Sequence, residues 1–176
     1  MPQPQVVAIT GSSGVGKSTL AKALQEELLP QQWLHFSVDS VFYCLPKSII
    51  HQVDLHNNHS AIDSTAIVGS AYACARTLLD EGHQVIFDAV ILSDKGANDL
   101  RRAFEAYQCV FVELTCSWEE IARRTLERND RTLAEAEHGF RNASGHLDVH
   151  HTLDTSRSTP EQLAKELVTF MRVNTL

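Results

Sequence analysis

The chain has 176 residues and a formal net charge of −7 with no basic run, which argues against nucleic acid or an anionic membrane as a partner. Its composition is 43% hydrophobic and 21% charged, as in an ordinary single-domain globular protein. No segment is apolar for long enough to span a bilayer, and the opening MPQPQ is not a signal peptide.

The first element is an apolar, largely β-branched run, Val6 to Thr10, which reads as a strand. It feeds directly into Gly11, Ser12, Ser13, Gly14, Val15, Gly16, Lys17 and Ser18, the pattern G-x-x-x-x-G-K-[ST] of a phosphate-binding loop. Glycines let such a backbone curl so that several N–H groups point at phosphate oxygens. A helix follows at once, with Leu20, Ala23, Leu24 and Leu28 at helical spacing over Lys17–Leu28, and its N-terminal dipole aims at the same anion. Lys17 is placed to reach the outer phosphates, the Ser18 hydroxyl to ligate Mg²⁺, and Thr19 to adjoin the bound nucleotide. The pattern with this context implies a nucleoside triphosphate with a divalent cation.

The second strand, Leu34–Val38, ends at Asp39. A carboxylate there could take a proton from a substrate hydroxyl, or it could cap the helix beginning SVFYCL. Trp33, Phe36, Phe42 and Tyr43 surround Asp39; most belong in a core, and one or two could line an apolar acceptor pocket. Residues 41–65 form a polar, His-rich insertion on the acceptor side, with His51, His56 and His59. No spacing of these, or of His150 and His151, resembles a structural zinc site, so a solvated loop is expected.

A helix over Ala66–Asp80, stopped by Gly82, leads to a third strand, Gln84–Asp88. VIFDAV has the form of a strand that delivers an acid, Asp88, close to Mg²⁺. A helix over Lys95–Ala106, a strand over Val110–Leu114 and a helix over Trp118–Glu127 follow. The cluster ARRTLERNDRT places Arg124, Arg128 and Arg131 four and three residues apart, on one helical face. Such a face suits a triphosphate under a closing lid, residues 124–146; the alternative is a solvated surface with Glu127 and Asp130 as local partners. The chain ends in a short strand, Thr152–Asp154, and a helix, Pro160–Arg172, with Ser158 and Thr159 before a first-turn proline. The cysteines, Cys44, Cys74, Cys109 and Cys116, form no C-x-x-C pair, so reduced thiols in a cytoplasmic protein are expected.

This alternation of strand and helix predicts one α/β domain over 1–176. Its P-loop NTPase-type architecture has about five parallel strands with helices on both faces and the active site at the strands' carboxyl ends.

The set GSSGVGKS, LPQQWLHFSVDSVF, VIFDAVIL and RNDR resembles the chloramphenicol phosphotransferases and their relatives over nearly the full chain, with WLxFxVDS the most specific part. That resemblance implies a P-loop kinase fold like those of adenylate, shikimate and gluconate kinases. It implies transfer of phosphate from ATP, with Mg²⁺, to a small-molecule hydroxyl. Asp39 then matches the catalytic base, Gly11–Ser18 the phosphate loop and the RNDR arginines the lid; Arg128 and Arg131 neutralise the transferred group, and Arg124 contacts the nucleotide. The adenine falls by DTSRSTP. Two departures are Ala89, where the family tends to carry a second acid after Asp88, and the texture of HNNHSAIDSTA, on the acceptor side. The acceptor is therefore open between chloramphenicol or a related antibiotic and another metabolite such as a nucleoside or sugar acid. A nucleotide-binding regulatory ATPase without an acceptor is the rival of another class, although no [NT]-K-x-D guanine signature is present. Oligomeric state is not readable.

Overall fold

The computed structural model describes residues 4–56, 58–128 and 132–174. In chain order its elements are β1 (Val6–Thr10), α1 (Lys17–Glu27), β2 (Trp33–Ser37), α2 (Val38–Phe42), α3 (Lys47–His56), α4 (Ser64–Asp80), β3 (Gln84–Asp88), α5 (Asp94–Phe104), β4 (Cys109–Thr115), α6 (Trp118–Arg128), α7 (Leu133–Asn142), β5 (His151–Asp154) and α8 (Pro160–Val173). A single 3₁₀ turn, His59–Ala61, sits before α4.

The five strands form one parallel sheet in the order β2-β3-β1-β4-β5. Every residue of β1 is buried, as a central strand covered on both faces must be. Alternate β1 residues feed two cores. Val7 and Ile9 pack with Leu20 and Leu24 of α1 and Leu163 and Leu167 of α8. Val6 and Ala8 pack with Ala71 and Ala75 of α4 and Leu100 and Phe104 of α5. Burying each large apolar side chain contributes about 1.5–3 kcal/mol, so these two layers hold β1, and the loop after it, in place.

Because all strands run the same way, their carboxyl ends share one edge. Thr10, Ser37, Asp88, Thr115 and Asp154 end there. β2 and β3 pair so that Ser37 lies opposite Asp88.

The expected strands and helices are present, with ends moved by one or two residues. The stops are also as read. Gly82 takes φ +87° after α4, and its N–H donates to the Leu79 carbonyl at 2.9 Å. Thr159 caps α8 in a reciprocal pair with Gln162, with Pro160 in the first turn. Residues 41–65 differ from the loop expected there. They carry the end of α2, then α3, whose Ile49, Ile50 and Val53 recur at helical spacing beneath a polar exterior. The lid region similarly contains α7, capped by Thr132 and Glu135. No helix among the described residues is long and apolar enough to cross a membrane.

Candidate active site

Gly11 has φ +138°, Gly14 +83° and Gly16 +110°, so the loop after β1 turns through backbone conformations that side-chain-bearing residues rarely adopt. Gly16 caps α1, which begins at Lys17, so the first N–H groups of the helix face the loop. Lys17 is buried, and its Nζ donates to the carbonyls of Gly11 at 3.2 Å and Ser12 at 3.0 Å. The ammonium thus lies inside the ring of the loop.

Ser18, one residue on, is exposed, and its Oγ donates to Oδ2 of Asp88 at 3.1 Å. Asp88 itself is buried at the carboxyl end of β3. The two residues expected at a magnesium site are therefore brought together from seventy positions apart. Both offer hard oxygen donors beside a phosphate loop, and that donor set fits Mg²⁺.

A third residue joins them. Nε2 of His35 lies 2.6 Å from the same Asp88 oxygen. Sequence reasoning passed over His35. A signal was available: it is the polar interruption on an apolar strand, between Leu34 and Phe36.

Asp39 lies in the first turn of α2 and is exposed. The cap of α2 is Ser37: its Oγ accepts from the Ser40 N–H at 3.2 Å, while Ser40 Oγ accepts from the Ser37 N–H at 3.1 Å. The capping role open to Asp39 in the sequence thus belongs to Ser37, and the helix starts before SVFYCL. Asp39 stands two residues past the strand partner of Asp88. Trp33 is core, Phe36 packs on the core beneath α4 and α5, and Tyr43 is 60% exposed.

Arg124 reaches across from α6. Its Nη1 donates to the Val15 carbonyl at 3.0 Å and Thr155 Oγ1 at 3.2 Å, its Nη2 to the Thr155 carbonyl at 2.9 Å, and its Nε to Glu120 at 2.8 Å. Its guanidinium is a strut between the phosphate loop and the loop after β5. Arg123 and Arg124 together hold the Glu120 carboxyl down to about 2. Arg128 ends α6; the placement of its side chain, and Asp130 and Arg131 altogether, lie outside the described residues.

Beside the loop opens a cleft of about 270 Å³, lined by Gly14, Gly16, Thr19, Arg124, Thr155 and Ser158 among others. It joins the phosphate loop to the DTSRSTP segment. There Asp154 accepts from the N–H and Oγ of Ser156 at 2.8 and 2.6 Å, which hold its carboxyl below the usual range. A larger hollow of about 320 Å³, between Pro4, Leu28, Trp33 and Met171, opens at the opposite end of the strands, away from every group of the phosphate site. Of the histidines, His51 and His59 are exposed, and the side chain of His56 lies outside the described residues. His150 accepts from the Phe111 N–H at 2.9 Å, and His151 stacks on Phe170.

Over residues 4–172 the chain matches the family described as chloramphenicol phosphotransferase-like protein, and it belongs to that family. A Mycobacterium tuberculosis chain provisionally named an O-phosphotransferase is 30% identical over 188 residues, covering 95% of this chain and 82% of that one. A guanylate kinase of Chlorobaculum tepidum is 30% identical over 154 residues, 77% of this chain and 74% of that one. A gluconokinase structure from Sinorhizobium meliloti superposes with a TM-score of 0.69 at 15% identity, covering 98% and 94% of the two chains, and shows the shared P-loop kinase fold. The activity class is phosphotransferase.

Proposed function

We propose that the protein uses ATP and Mg²⁺ to phosphorylate a hydroxyl group of a small molecule. One observation carries the reading: Ser18 and Asp88 meet at 3.1 Å beside the phosphate loop, with Asp39 two residues past the strand partner of Asp88. The phosphate loop, a pair of oxygen donors and a solvent-facing carboxylate thereby share one end of the sheet.

The N–H groups of residues 11–18 and the Lys17 ammonium bind the phosphates. Ser18 and Asp88 would hold the metal, which would supply positive charge to neutralise the phosphates. Asp39 orients the acceptor hydroxyl and takes its proton as the oxygen attacks. Arg128 and Arg131 stabilise charge developing on the transferred group from the lid. Arg124 lines the cleft for the base while its N–H groups keep loop and lid in register.

The guanylate kinase likeness raises a second reading, a nucleoside monophosphate as acceptor. A phosphate acceptor calls for a cationic cradle. Residues 38–63 hold one lysine, Lys47, against three aspartates, Asp39, Asp54 and Asp63, with no arginine. That balance favours a neutral hydroxyl compound. Exposed Tyr43, Val90 and Leu92 follow the ends of β2 and β3 and suit a partly apolar one, for which chloramphenicol or a related antibiotic is one candidate and a nucleoside another, whereas a sugar acid, anionic at neutral pH, suits that balance less well.

The test is ADP release with and without a panel of hydroxylated small molecules and nucleoside monophosphates, with ³¹P NMR of the products. A phosphate ester that forms only with a hydroxyl acceptor supports the reading. Acceptor-independent turnover would replace it with a regulatory ATPase.

A further inference from the structure

We infer that His35 is a positioning residue for the metal-binding carboxylate. It holds Asp88 in the orientation from which that side chain and Ser18 take the cation. The inference rests on the proposed magnesium site and deepens it.

His35 lies on β2 opposite Ile86 of β3, two positions before the Ser37–Asp88 pair. Trp33 and Ile86 belong to the core beneath α1, so His35, two residues from Trp33 on the same strand face, looks toward α1 and the Ser18 side. Its imidazole has 19% of its surface exposed, and Asp88 has 6%. Within this largely dry pocket, Oδ2 of Asp88 accepts from Ser18 Oγ at 3.1 Å and lies 2.6 Å from Nε2 of His35.

An ionised carboxylate can only accept hydrogen bonds, so Nε2 carries the hydrogen of this contact. Two donors converging on one oxygen fix the rotation of the carboxylate. With Ser18 alone, the group could swing about its last torsion, since terminal sp³–sp² torsions are broad. Residues that orient a metal-binding group typically govern metal affinity or activity by about 10–100-fold. His35 stands four residues before Asp39, so one strand-to-helix segment sets both the metal carboxylate and the candidate base.

The experiment compares wild type, His35→Leu, His35→Gln and Asp88→Asn. Mn²⁺ binding in the presence of ADP is followed by electron paramagnetic resonance, and ADP binding in EDTA by calorimetry. The glutamine amide can place an N–H near the position of Nε2, whereas leucine cannot. His35→Leu should weaken Mn²⁺ binding about tenfold or more, His35→Gln should restore most of it, and ADP affinity without metal should be unchanged in both. Wild-type Mn²⁺ affinity in His35→Leu, alongside its loss in Asp88→Asn, overturns the role of His35 alone. A failure of His35→Gln to recover what His35→Leu loses also overturns it, because packing would then be the cause. Unchanged Mn²⁺ binding in Asp88→Asn overturns the metal site itself. Should His35→Leu not fold, His35→Asn, polar but too short to reach Asp88, takes its place.

Discussion

Arg124 and Thr155, thirty-one residues apart, are joined by two hydrogen bonds, from Nη1 to the threonine Oγ1 at 3.2 Å and from Nη2 to its carbonyl at 2.9 Å. Thr155 Oγ1 in turn donates to the Val15 carbonyl at 2.8 Å, which also receives Arg124 Nη1. Phosphate loop, α6 and the loop after β5 thus meet in one network. Arg124→Ala takes the described donor from the Thr155 carbonyl, leaves Val15 with Thr155 Oγ1, and should cost about 1–3 kcal/mol of stability. It should also weaken ATP binding more than it lowers kcat. Arg124→Lys should recover little, because an ammonium cannot serve Val15 and Thr155 in the same fork. Denaturant midpoints and ATP KM for both variants check this; wild-type values in Arg124→Ala would contradict it.

The position of Lys17 leads to a second expectation. Its ammonium rests on the Gly11 and Ser12 carbonyls, inside the loop a phosphate would fill. Lys17→Met keeps most of the stem and removes the charge. ATP affinity should fall about tenfold to a hundredfold, the worth of hydrogen bonds to a charged group, and transfer should be lost. Calorimetry with ATP measures the first and product formation the second. Full activity with unchanged affinity would remove the loop from the phosphate site.

The glycines of the loop are not equivalent. At Gly11 an added Cβ would stand 2.5 Å from the Leu114 carbonyl oxygen, in addition to the strain of φ +138°. At Gly14 it would meet nothing within 4 Å. Gly14→Ala should therefore cost only the left-handed backbone penalty, about 1–2 kcal/mol. Gly11→Ala must also push β1 from β4 and should cost about 3 kcal/mol or more. Melting temperatures of the pair test the order; equal losses would refute it.

The phosphate loop was legible in sequence because its chemistry is local: eight consecutive residues between a strand and a helix. The alternation of strands and helices likewise gave the sheet and its two covered faces. The union of Ser18, His35 and Asp88 was only partly legible, because β2 and β3 are neighbours only through the strand order. A histidine on a strand carries no mark of the carboxylate it will meet. The capping alternative for Asp39 arises because aspartate and serine both cap helices well; the serine before VDS is the residue that does so here. α3 escaped notice because histidines and glutamine alternate with its apolar residues.

His146 gives a pH dependence. Nδ1 lies 2.8 Å from Asp94 Oδ1 and Nε2 3.0 Å from the Asn142 carbonyl, linking the end of α7 to the start of α5. Both partners accept, so the doubly protonated ring suits the site, and the Asp94 hydrogen bond raises its pKa above the usual 6.5. A histidine raised in the folded state contributes stability that is fully present below about 6.5 and lost as pH climbs through its folded value. Nearby Arg101 pairs with Asp148 at 3.1 Å, and Lys95 with Asp99 at 2.6 Å. Glu113, raised by burial, bonds the Gly145 backbone and loses its own contribution in the same direction, starting from the carboxylate range. Comparing wild type with His146→Gln cancels that background. The gap in melting temperature should be widest near pH 5.5 and close as pH rises above 8; a gap that stays flat or widens would refute the link.

Asp39 gives the test on which the chemistry turns. Because Ser37 and Ser40 cap α2 between them, Asp39→Asn removes no cap. Asparagine keeps the size of the side chain and cannot take up a proton at neutral pH. Asp39 is exposed in the first turn of a five-residue helix, where a carboxylate is worth about 0.3–1 kcal/mol through the helix dipole, and asparagine keeps much of its hydrogen bonding. Melting temperature and ATP affinity should therefore remain near wild type. If Asp39 is the base, kcat with a working acceptor should fall by about two to four orders of magnitude, the range general-base catalysis supplies. The pH profile should change with it: the acidic limb set by a carboxylate in wild type should disappear from the residual rate of Asp39→Asn. Near-normal turnover would clear Asp39 of the role. The base would then be sought at Asp88, whose carboxylate ends β3 and already holds Ser18 and His35.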